Sequence, residues 1–294
     1  KGDIMEKEKN VNAPLLKVEK FSVKFKMYEK GLRQRLSVAV RDLNLELNKG
    51  EILAIVGSSG SGKSLLAHGI MDILPSNAVI GGEISIKGEK MTPKLMNEKR
   101  GKEIVIVPQS VSYLDPLMKI REQVFETSDR TDYDEMFAKF GLSKEDSDKL
   151  PFQLSGGMAR RALVMTAAVS NAELIIADEP TPGLNPKLAH EILAMFKEMA
   201  NNGKGVLLIT HDIDLVCEIA DRIAIFHDGT ILETTDVKNF IEGGDKLKHP
   251  YCKALWNALP QNNFTPLSSE EVNELCEHAK SEIASYDSLE VEVC

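Results

Sequence analysis

Long apolar runs and excess positive charge are both missing from this chain of 294 residues, and each absence excludes a class of function. No stretch approaches the roughly 20 consecutive apolar residues that a membrane-spanning helix needs. The net charge is −9, whereas a general nucleic-acid binder holds phosphates with clustered lysines and arginines. We therefore expect a cytoplasmic protein that has no nucleic-acid partner and reaches a membrane only through other proteins.

Cysteine and histidine are also sparse, and their spacing indicates no metal centre. The four cysteines form no CxxC pair and the six histidines form no HExxH motif. Such spacing is typical of reduced thiols rather than of a zinc or iron–sulfur site. The cysteines are Cys217, Cys252, Cys276 and Cys294.

The residues that are present predict an α/β core. Hydrophobic residues make up 43% of the chain and charged residues 28%, as in ordinary globular proteins. EILAIVG, EIVIVPQ, ELIIAD and GVLLITHD are short apolar runs that suit parallel strands buried on both faces. KLAHEILAMFKEMANN, between two of them, has the apolar spacing of a helix that lies on such a sheet.

The remaining regions predict an antiparallel unit, a helical insertion and a helical extension. LLKVEKFSVKF and LSVAVRDLNLELNKGE alternate in polarity, which favours antiparallel strands near the N-terminus. Residues from about 113 to 165 are largely helical in pattern and interrupt the series of core strands. In IAIFHDGTILET, Asp-Gly between two apolar runs predicts a hairpin. The expected organisation is a disordered segment at 1–14, one large domain at 15–245 and a C-terminal extension at 246–294.

GSSGSGKS, at residues 57–64, fits the P-loop pattern G-x-x-x-x-G-K-[ST] between a predicted strand and a predicted helix. Its glycines allow backbone turns that aim successive N–H groups at phosphate oxygens. Lys63 is expected between the outer phosphates, and the Ser64 hydroxyl is expected on Mg²⁺. The predicted nucleotide-binding residues here are Gly57, Ser58, Ser59, Gly60, Ser61, Gly62, Lys63, Ser64 and Leu65.

An acidic pair ends the apolar run ELIIADE and supplies the complementary half of a phosphate-cleaving site. Asp-Glu pairs are usually solvated, but this one follows a strand that should be buried. We expect Asp178 in the Mg²⁺ shell, and Glu179 to orient or deprotonate the attacking water.

The order of the motifs resembles that of the nucleotide-binding subunits of ABC transporters, across roughly residues 15–260. The P-loop is followed by Gln109 in IVPQS, by LSGGM at 154–158, by IIADEP and by His211 in LLITHD. The resemblance implies the α/β fold of a P-loop NTPase (RecA-like) core. It adds an antiparallel β subdomain, an inserted helical subdomain and a small C-terminal helical extension, and it implies an ATPase that uses ATP and Mg²⁺.

The resemblance also implies that ATP lies between two such subunits facing head to tail. Ser155, Gly156 and Gly157 of LSGGM would then contact the ATP that the partner subunit holds. A glycine-rich turn that opens a helix is an anion site on physical grounds as well.

The same resemblance assigns the remaining roles. Gln109 would contact Mg²⁺ and the attacking water, and His211 would contact the γ-phosphate and position Glu179. Phe25 is the expected adenine-stacking residue, with Tyr28 as the second candidate. The implied catalytic set is Glu179, His211, Gln109 and Lys63, and the implied Mg²⁺ ligands are Ser64, Gln109 and, through water, Asp178.

Asn185 departs from the family pattern, which usually has aspartate after the leucine of PGLN. Asparagine keeps one acceptor oxygen, loses the charge and gains a donor. Because this residue is not the base, we expect hydrolysis to survive while communication between the two sites is altered or asymmetric.

The segment HPYCKALWNALP resembles the one that follows the ATPase core in dipeptide, oligopeptide and nickel importers. The chain is most similar to the first of two non-identical ATPase subunits, the D subunit. The implied partners are a second ATPase subunit, two membrane permeases and an extracellular substrate-binding protein. Some members hold an iron–sulfur cluster in the tail, but Cys252, Cys276 and Cys294 lack the tight spacing this needs.

Several alternatives stay open from the sequence. The substrate class is either peptides or nickel and metal chelates. The alternatives to a hydrolysing importer subunit are an ATPase of another ABC system, such as an exporter or a non-transport protein, and a poorly hydrolysing regulatory half of a heterodimer. Glu179 favours hydrolysis, whereas Asn185 keeps the regulatory reading open.

Overall fold

The computed structural model describes residues 13–28, 34–126, 132–259, 262 and 271. Its strands are β1 (Leu16–Tyr28), β2 (Gln34–Leu47), β3 (Ile52–Val56), β4 (Ala78–Ile86), β5 (Glu89–Lys90), β6 (Ile104–Val107), β7 (Leu174–Asp178), β8 (Gly205–Thr210), β9 (Arg222–His227) and β10 (Thr230–Asp236). Its α-helices are α1 (Lys63–Ile70), α2 (Pro93–Lys99), α3 (Ile120–Phe125), α4 (Tyr133–Lys139), α5 (Lys144–Ser147), α6 (Gly156–Val169), α7 (Pro186–Asn201), α8 (Ile213–Ile219), α9 (Val237–Glu242) and α10 (Pro250–Ala258).

The larger sheet has six strands in the order β10-β9-β3-β8-β7-β6. The four predicted apolar runs form β3, β6, β7 and β8, which pair in parallel. Each is buried on both faces because alternate side chains enter different clusters. In β3, Ile52 and Val56 join the cluster with the inserted helices, whereas Leu53 and Ile55 join the cluster with the second sheet. The predicted α/β class is confirmed.

The second sheet is antiparallel, with four strands in the order β2-β1-β4-β5. β1 pairs with both β2 and β4, as the alternating polarity of these segments predicted. Its inner face packs on α1. A Cβ placed on Gly69 would lie 2.4 Å from Cζ of Phe21, so this helix approaches the sheet as closely as a glycine allows. The second sheet thereby holds α1 against one face of the larger one.

The predicted hairpin joins β9 to β10. Asp228 and Gly229 both adopt positive φ, at 44° and 81°, as a two-residue turn of type I′ requires. The Arg41 amide donates to the carbonyl of Gly229 at 2.8 Å, which ties this turn to β2.

The inserted helices α3 to α6 lie between β6 and β7 in the chain. α6 is their longest member, and its apolar side chains face the core; Val164 and Met165 are fully buried. Aromatic packing joins α3 to α4, where the ring centroids of Phe125 and Tyr133 are 4.3 Å apart. The insertion therefore packs onto the main sheet through α6.

The first part of the extension packs on the same core. Leu247 is 1% exposed and Cys252, in α10, is 0% exposed, and both belong to the cluster with the inserted helices. The expectations for residues 1–12, for nearly all of the chain after Leu259, and for Cys276 and Cys294 concern positions outside the described residues. Within the described ranges, no helix is long and apolar enough to cross a membrane.

Candidate nucleotide site

The carboxyl ends of four parallel strands meet at one edge of the larger sheet. The pairings Val56↔Thr210, Asp178↔Ile209 and Val107↔Ala177 align the ends of β3, β8, β7 and β6. The segments that follow these strands carry the P-loop, His211, the acidic pair and Gln109. The strand register thus gathers residues that are far apart in sequence. Ligands of open α/β sheets bind at this edge.

Backbone contacts fix the shape of the P-loop. A Cβ on Gly57 would lie 2.2 Å from the carbonyl oxygen of Phe226 in β9, so no larger residue fits there. Gly62 has φ of 109°, and a Cβ there would lie 3.1 Å from the carbonyl oxygen of Ala39. Ser58, Ser59 and the other loop residues before Lys63 are exposed or half-buried. The loop is thus clamped at Gly57 and Gly62 and open between them.

Lys63 is the first residue of α1 and is 4% exposed. Its ammonium donates to the carbonyl oxygens of Gly57 and Ser58, each at 2.8 Å. Burial lowers the pKa of Lys63, and the nearby charges of Glu179 and Asp178 oppose this shift. A cation is therefore held inside the curve of the loop and beside two carboxylates.

Ser64 and Asp178 join the P-loop to β7. The Ser64 hydroxyl donates to Oδ1 of Asp178 at 3.0 Å, although the two residues are 114 positions apart. Asp178 is 3% exposed, and burial raises the pKa of its carboxyl group despite the hydrogen bond from Ser64. These two hard oxygen donors are the described side chains best suited to hold Mg²⁺.

Glu179 and His211 form the second pair at this edge. Nδ1 of His211 lies 3.0 and 2.9 Å from the two carboxylate oxygens of Glu179. Because an ionised carboxylate only accepts hydrogen bonds, Nδ1 carries the proton in this contact. Glu179 itself has φ of 48°, unusual for a long side chain, and its amide donates to the Ile209 carbonyl at 2.8 Å. Such backbone strain is often retained at functional sites.

The structure places the other predicted residues at two further locations. Gln109 is exposed and follows β6 by two residues, at the level of the acidic pair in the sheet register. Phe25 is half-buried in β1 and pairs with Ser37, two residues from Ala39 that contacts the P-loop. Tyr28, the second aromatic candidate, is 71% exposed.

The LSGGM turn faces away from the chain's own core. Ser155 and Gly156 are exposed, and the Ser155 hydroxyl caps α6 by accepting from the Met158 amide at 3.3 Å. On its inner side the turn meets the start of α7, since a Cβ on Gly157 would lie 2.7 Å from Cδ2 of Leu188. The N-terminus of a helix of 14 residues is thereby presented outward, and such a helix end favours anions.

Asn185 has a structural role that the sequence reasoning missed. It is the N-cap of α7, and its Oδ1 accepts from the Leu188 amide at 3.0 Å. The signal was present in the sequence, because Asn-Pro before an apolar periodic run is an N-cap followed by proline at the first helical position. No such signal marks Phe226 or Ala39, which contact the P-loop only through the tertiary fold.

Comparison with known proteins decides the family. A family model described as ABC transporter matches residues 40–182. The oligopeptide transport ATP-binding protein OppD of Bacillus subtilis is 33% identical over 273 residues, which cover 84% of this chain and 72% of that protein. The chain belongs to the ATP-binding subunits of ABC transporters. The resemblance inferred from the motifs is confirmed, and the chain is an ABC ATPase, an enzyme that couples ATP hydrolysis to transport.

Other relatives of this ABC ATPase agree with the assignment. The dipeptide transport ATP-binding protein DppD of Bacillus subtilis is 33% identical over 242 residues, covering 76% of this chain and 71% of that protein. A dimeric post-hydrolysis structure of an ATP-binding cassette bound to ADP and Pi has a TM-score of 0.65 at 26% identity, covering 76% of this chain and 98% of that one. The cbiO1 protein of Clostridium perfringens, part of an ABC transporter complex, has a TM-score of 0.61 at 26% identity, covering 78% of this chain and 91% of that one.

Proposed function

We propose that this ABC ATPase hydrolyses Mg-ATP at the edge formed by the P-loop, Asp178, Glu179 and His211, and thereby powers the import of peptides. The observation that carries the proposal is the pairing at this edge. Ser64 meets Asp178 at 3.0 Å and His211 meets Glu179 at 2.9 Å, both beside the Lys63 ammonium. Phosphate binding, metal binding and a general base are thus combined in one site.

The chain's own residues account for the steps before bond cleavage. The N–H groups of residues 58–64 and the Lys63 ammonium receive the phosphates at the start of α1. Glu179 accepts a hydrogen bond, and then a proton, from the water that attacks the γ-phosphorus. His211 fixes the orientation of the Glu179 carboxylate through Nδ1, and in the doubly protonated ring its Nε2–H would donate to the γ-phosphate. Gln109 is assigned to the same water from the opposite side.

The residues at the edge fit a magnesium ion. A buried carboxylate whose pKa is raised by burial, as at Asp178, gains most from a nearby cation. Ser64 and Asp178 would hold the ion, with Asp178 bonded through water and Gln109 as a further ligand. When bound, Mg²⁺ neutralises charge that develops on the phosphate oxygens during transfer.

We assign the outward-facing turn at Ser155, Gly156 and Gly157 to a second ATPase subunit. Ser155 and Gly156 are exposed and Gly157 is half-buried, so the turn can reach a nucleotide that another chain holds. The dimeric arrangement of the ATP-binding cassette with the similar fold supports this assignment. Phe25, near the P-loop in the second sheet, is assigned to the adenine.

The import of peptides follows from the named relatives and from the motifs. OppD and DppD of Bacillus subtilis, both 33% identical, are named for oligopeptide and dipeptide transport. We propose two membrane permeases and an extracellular binding protein as partners, with this chain at the cytoplasmic face of the membrane. Residues 15–245 would form the ATPase domain, with its helical part at about 113–165, and 246–294 the importer-type extension. Transport assays of the assembled transporter, one with labelled peptides and one with Ni²⁺, distinguish the two substrate classes.

The experiment that tests hydrolysis is Glu179→Gln in the assembled transporter. Glutamine keeps the shape and one acceptor but cannot take the proton, so we expect ATP turnover to fall roughly 10²- to 10⁴-fold. ATP binding, measured by titration, should persist, because the P-loop and Asp178 are unchanged.

The matched control is Glu173→Gln at the opposite end of the same strand. Glu173 accepts from Lys49 at 2.8 Å, well away from the nucleotide edge, and its loss should leave turnover near that of the wild type. Undiminished turnover in the Glu179 variant would instead favour the regulatory-half reading, in which the second ATPase subunit performs the chemistry.

A further inference from the structure

One buried cation in the inserted helices has no role in the site described above. Arg160, in α6, is 7% exposed, and its Nη1 donates to the carbonyl oxygen of Pro108 at 3.1 Å. Its Nε is buried and has no hydrogen-bond partner among the residues that the structure describes. Burial lowers the pKa of this guanidinium.

This arrangement is expensive for the fold. Among the described residues, no carboxylate forms an ion pair with Arg160. A mostly buried charge without a counter-ion is unfavourable for folding, and an apolar side chain of similar volume is usually at least as stabilising. Stability alone therefore does not explain an arginine at this position.

Within the described part of the chain, the one acceptor of Arg160 is placed where it controls Gln109. The Pro108 oxygen belongs to the peptide plane that joins Pro108 to Gln109, and this plane is rigid. The proline ring already fixes φ of Pro108. A hydrogen bond to this oxygen therefore fixes the remaining rotation, and with it the direction in which Gln109 leaves β6.

The other end of the same helix is the outward-facing turn. Arg160 lies one helical turn after Gly156, and α6 runs unbroken between them. A displacement of the Ser155 turn is thus transmitted to Arg160, and from Arg160 to the peptide plane before Gln109.

We propose that Arg160 is a positioning residue that ties Gln109 to the Ser155 turn, so that engagement of the turn by a second subunit sets the position of Gln109. The inference rests on the proposed function of Gln109 and the turn. Arg161 provides a matched control, because its guanidinium points elsewhere, to the Gly141 carbonyl at 3.4 Å and Glu191 at 3.8 Å.

The test compares Arg160→Met, Arg160→Lys and Arg161→Met in the full chain and in the assembled transporter. Methionine fills the space without a donor, whereas lysine restores a charged donor. In the nucleotide-free chain, we expect Arg160→Met to raise amide hydrogen exchange at residues 109–112 roughly tenfold, as for loss of one charged hydrogen bond. Arg160→Lys should restore much of the protection, and Arg161→Met should leave this segment unchanged.

In the transporter, Arg160→Met should lower kcat roughly tenfold and raise the Mg²⁺ concentration needed for half-maximal turnover, while the Kd for ATP stays the same. Unchanged exchange at 109–112, or raised exchange with unchanged kcat and Mg²⁺ dependence, overturns the proposal. If Arg160→Met does not fold, Arg160→Gln, whose amide is too short to reach the Pro108 oxygen, replaces it with the same expectations. Exchange is measured without nucleotide. A negative exchange result is therefore distinct from a failure of the ATPase assignment, which Glu179→Gln tests.

Discussion

The two regions of this ABC ATPase that we assign to anion binding are built in opposite ways. At the strand edge, Asp178 and Glu179 are 3% and 7% exposed, and each has a polar partner on another element of the same chain. At the outward-facing turn, Ser155 and Gly156 are exposed, and a Cβ on Gly156 would meet no atom of the described residues within 4 Å. Both regions lie at the start of a helix, but only at the strand edge does the chain itself surround the polar groups.

The two regions therefore affect the free energy of folding differently. Charged groups at the strand edge are buried at the expense of folding free energy, and the ligand recovers that expense when it binds. The turn costs the fold little, because its amides remain hydrated until another surface covers them. Substitutions at the edge should therefore change both stability and activity, whereas those at the turn should change activity alone.

The largest expected effect is that of Asp178→Asn at the strand edge. Loss of the carboxylate should lower ATP turnover by about 100-fold or more, because metal-assisted charge stabilisation is lost. The free energy of unfolding, in contrast, should not fall. Burial raises the pKa of Asp178, so the folded state of the wild type loses stability as pH rises from the ordinary aspartate range through that pKa.

Asparagine cannot ionise, so Asp178→Asn should lack this decline and be as stable as the wild type, or more so, at pH 7 without nucleotide. Urea unfolding from pH 4 to pH 8 measures the difference, and Mg-ATP should stabilise the wild type more than the variant. A variant less stable than the wild type at pH 7 would mean that the protein stabilises the Asp178 charge, which contradicts a burial penalty at this edge.

The same substitution made in each region tests the contrast directly. Gly57→Ala puts a methyl group 2.2 Å from the Phe226 carbonyl oxygen, and we expect a loss of about 1–3 kcal/mol in the free energy of unfolding. Gly156→Ala enters open space in a helix, where alanine is favoured over glycine by up to about 1 kcal/mol, so stability should hold or rise.

Turnover of the assembled transporter is the second measurement on these two variants. Gly156→Ala should lower turnover, because the methyl group would separate the amides of the turn from the partner's phosphates. Full activity of Gly156→Ala together with a stable Gly57→Ala would remove the distinction between the two regions.

The sequence predicted the strand edge better than the rest of the site. Four apolar runs defined the strands, and the polar residues that follow them, such as Lys63, Asp178 and His211, had to meet at one edge because the strands are parallel. The P-loop pattern is a local property of about eight residues, so it is readable without the fold.

What the sequence left out depends on tertiary contacts. The walls of the P-loop come from Phe226 and Ala39, whose backbone oxygens approach it and whose residue types carry no signal. Arg160 reads as a surface cation of an amphipathic helix, and only the packing of α6 on β6 buries it. Asn185 was interpreted through the family pattern alone, although its position before Pro186 marked it as a helix cap.

Asn185 lies between the two regions and offers the smallest test of their separation. It follows the acidic pair in the chain, and the amide it caps belongs to Leu188, which packs on Gly157 of the turn. Asn185→Ala should cost about 1 kcal/mol in the free energy of unfolding through loss of the cap. Asn185→Asp keeps the acceptor and adds a charge that a helix N-terminus favours, so stability should be retained or rise by a few tenths of a kcal/mol.

Because Leu188 positions Gly157, the alanine variant should also lower turnover of the assembled transporter by a small factor, while the aspartate variant keeps the wild-type rate. Chemical denaturation and ATPase assays on both variants separate the cap from the charge. A large loss of turnover in Asn185→Asp, at unchanged stability, would show that the uncharged side chain itself acts between the two sites. The turn would then depend on the strand edge through more than the packing of α7.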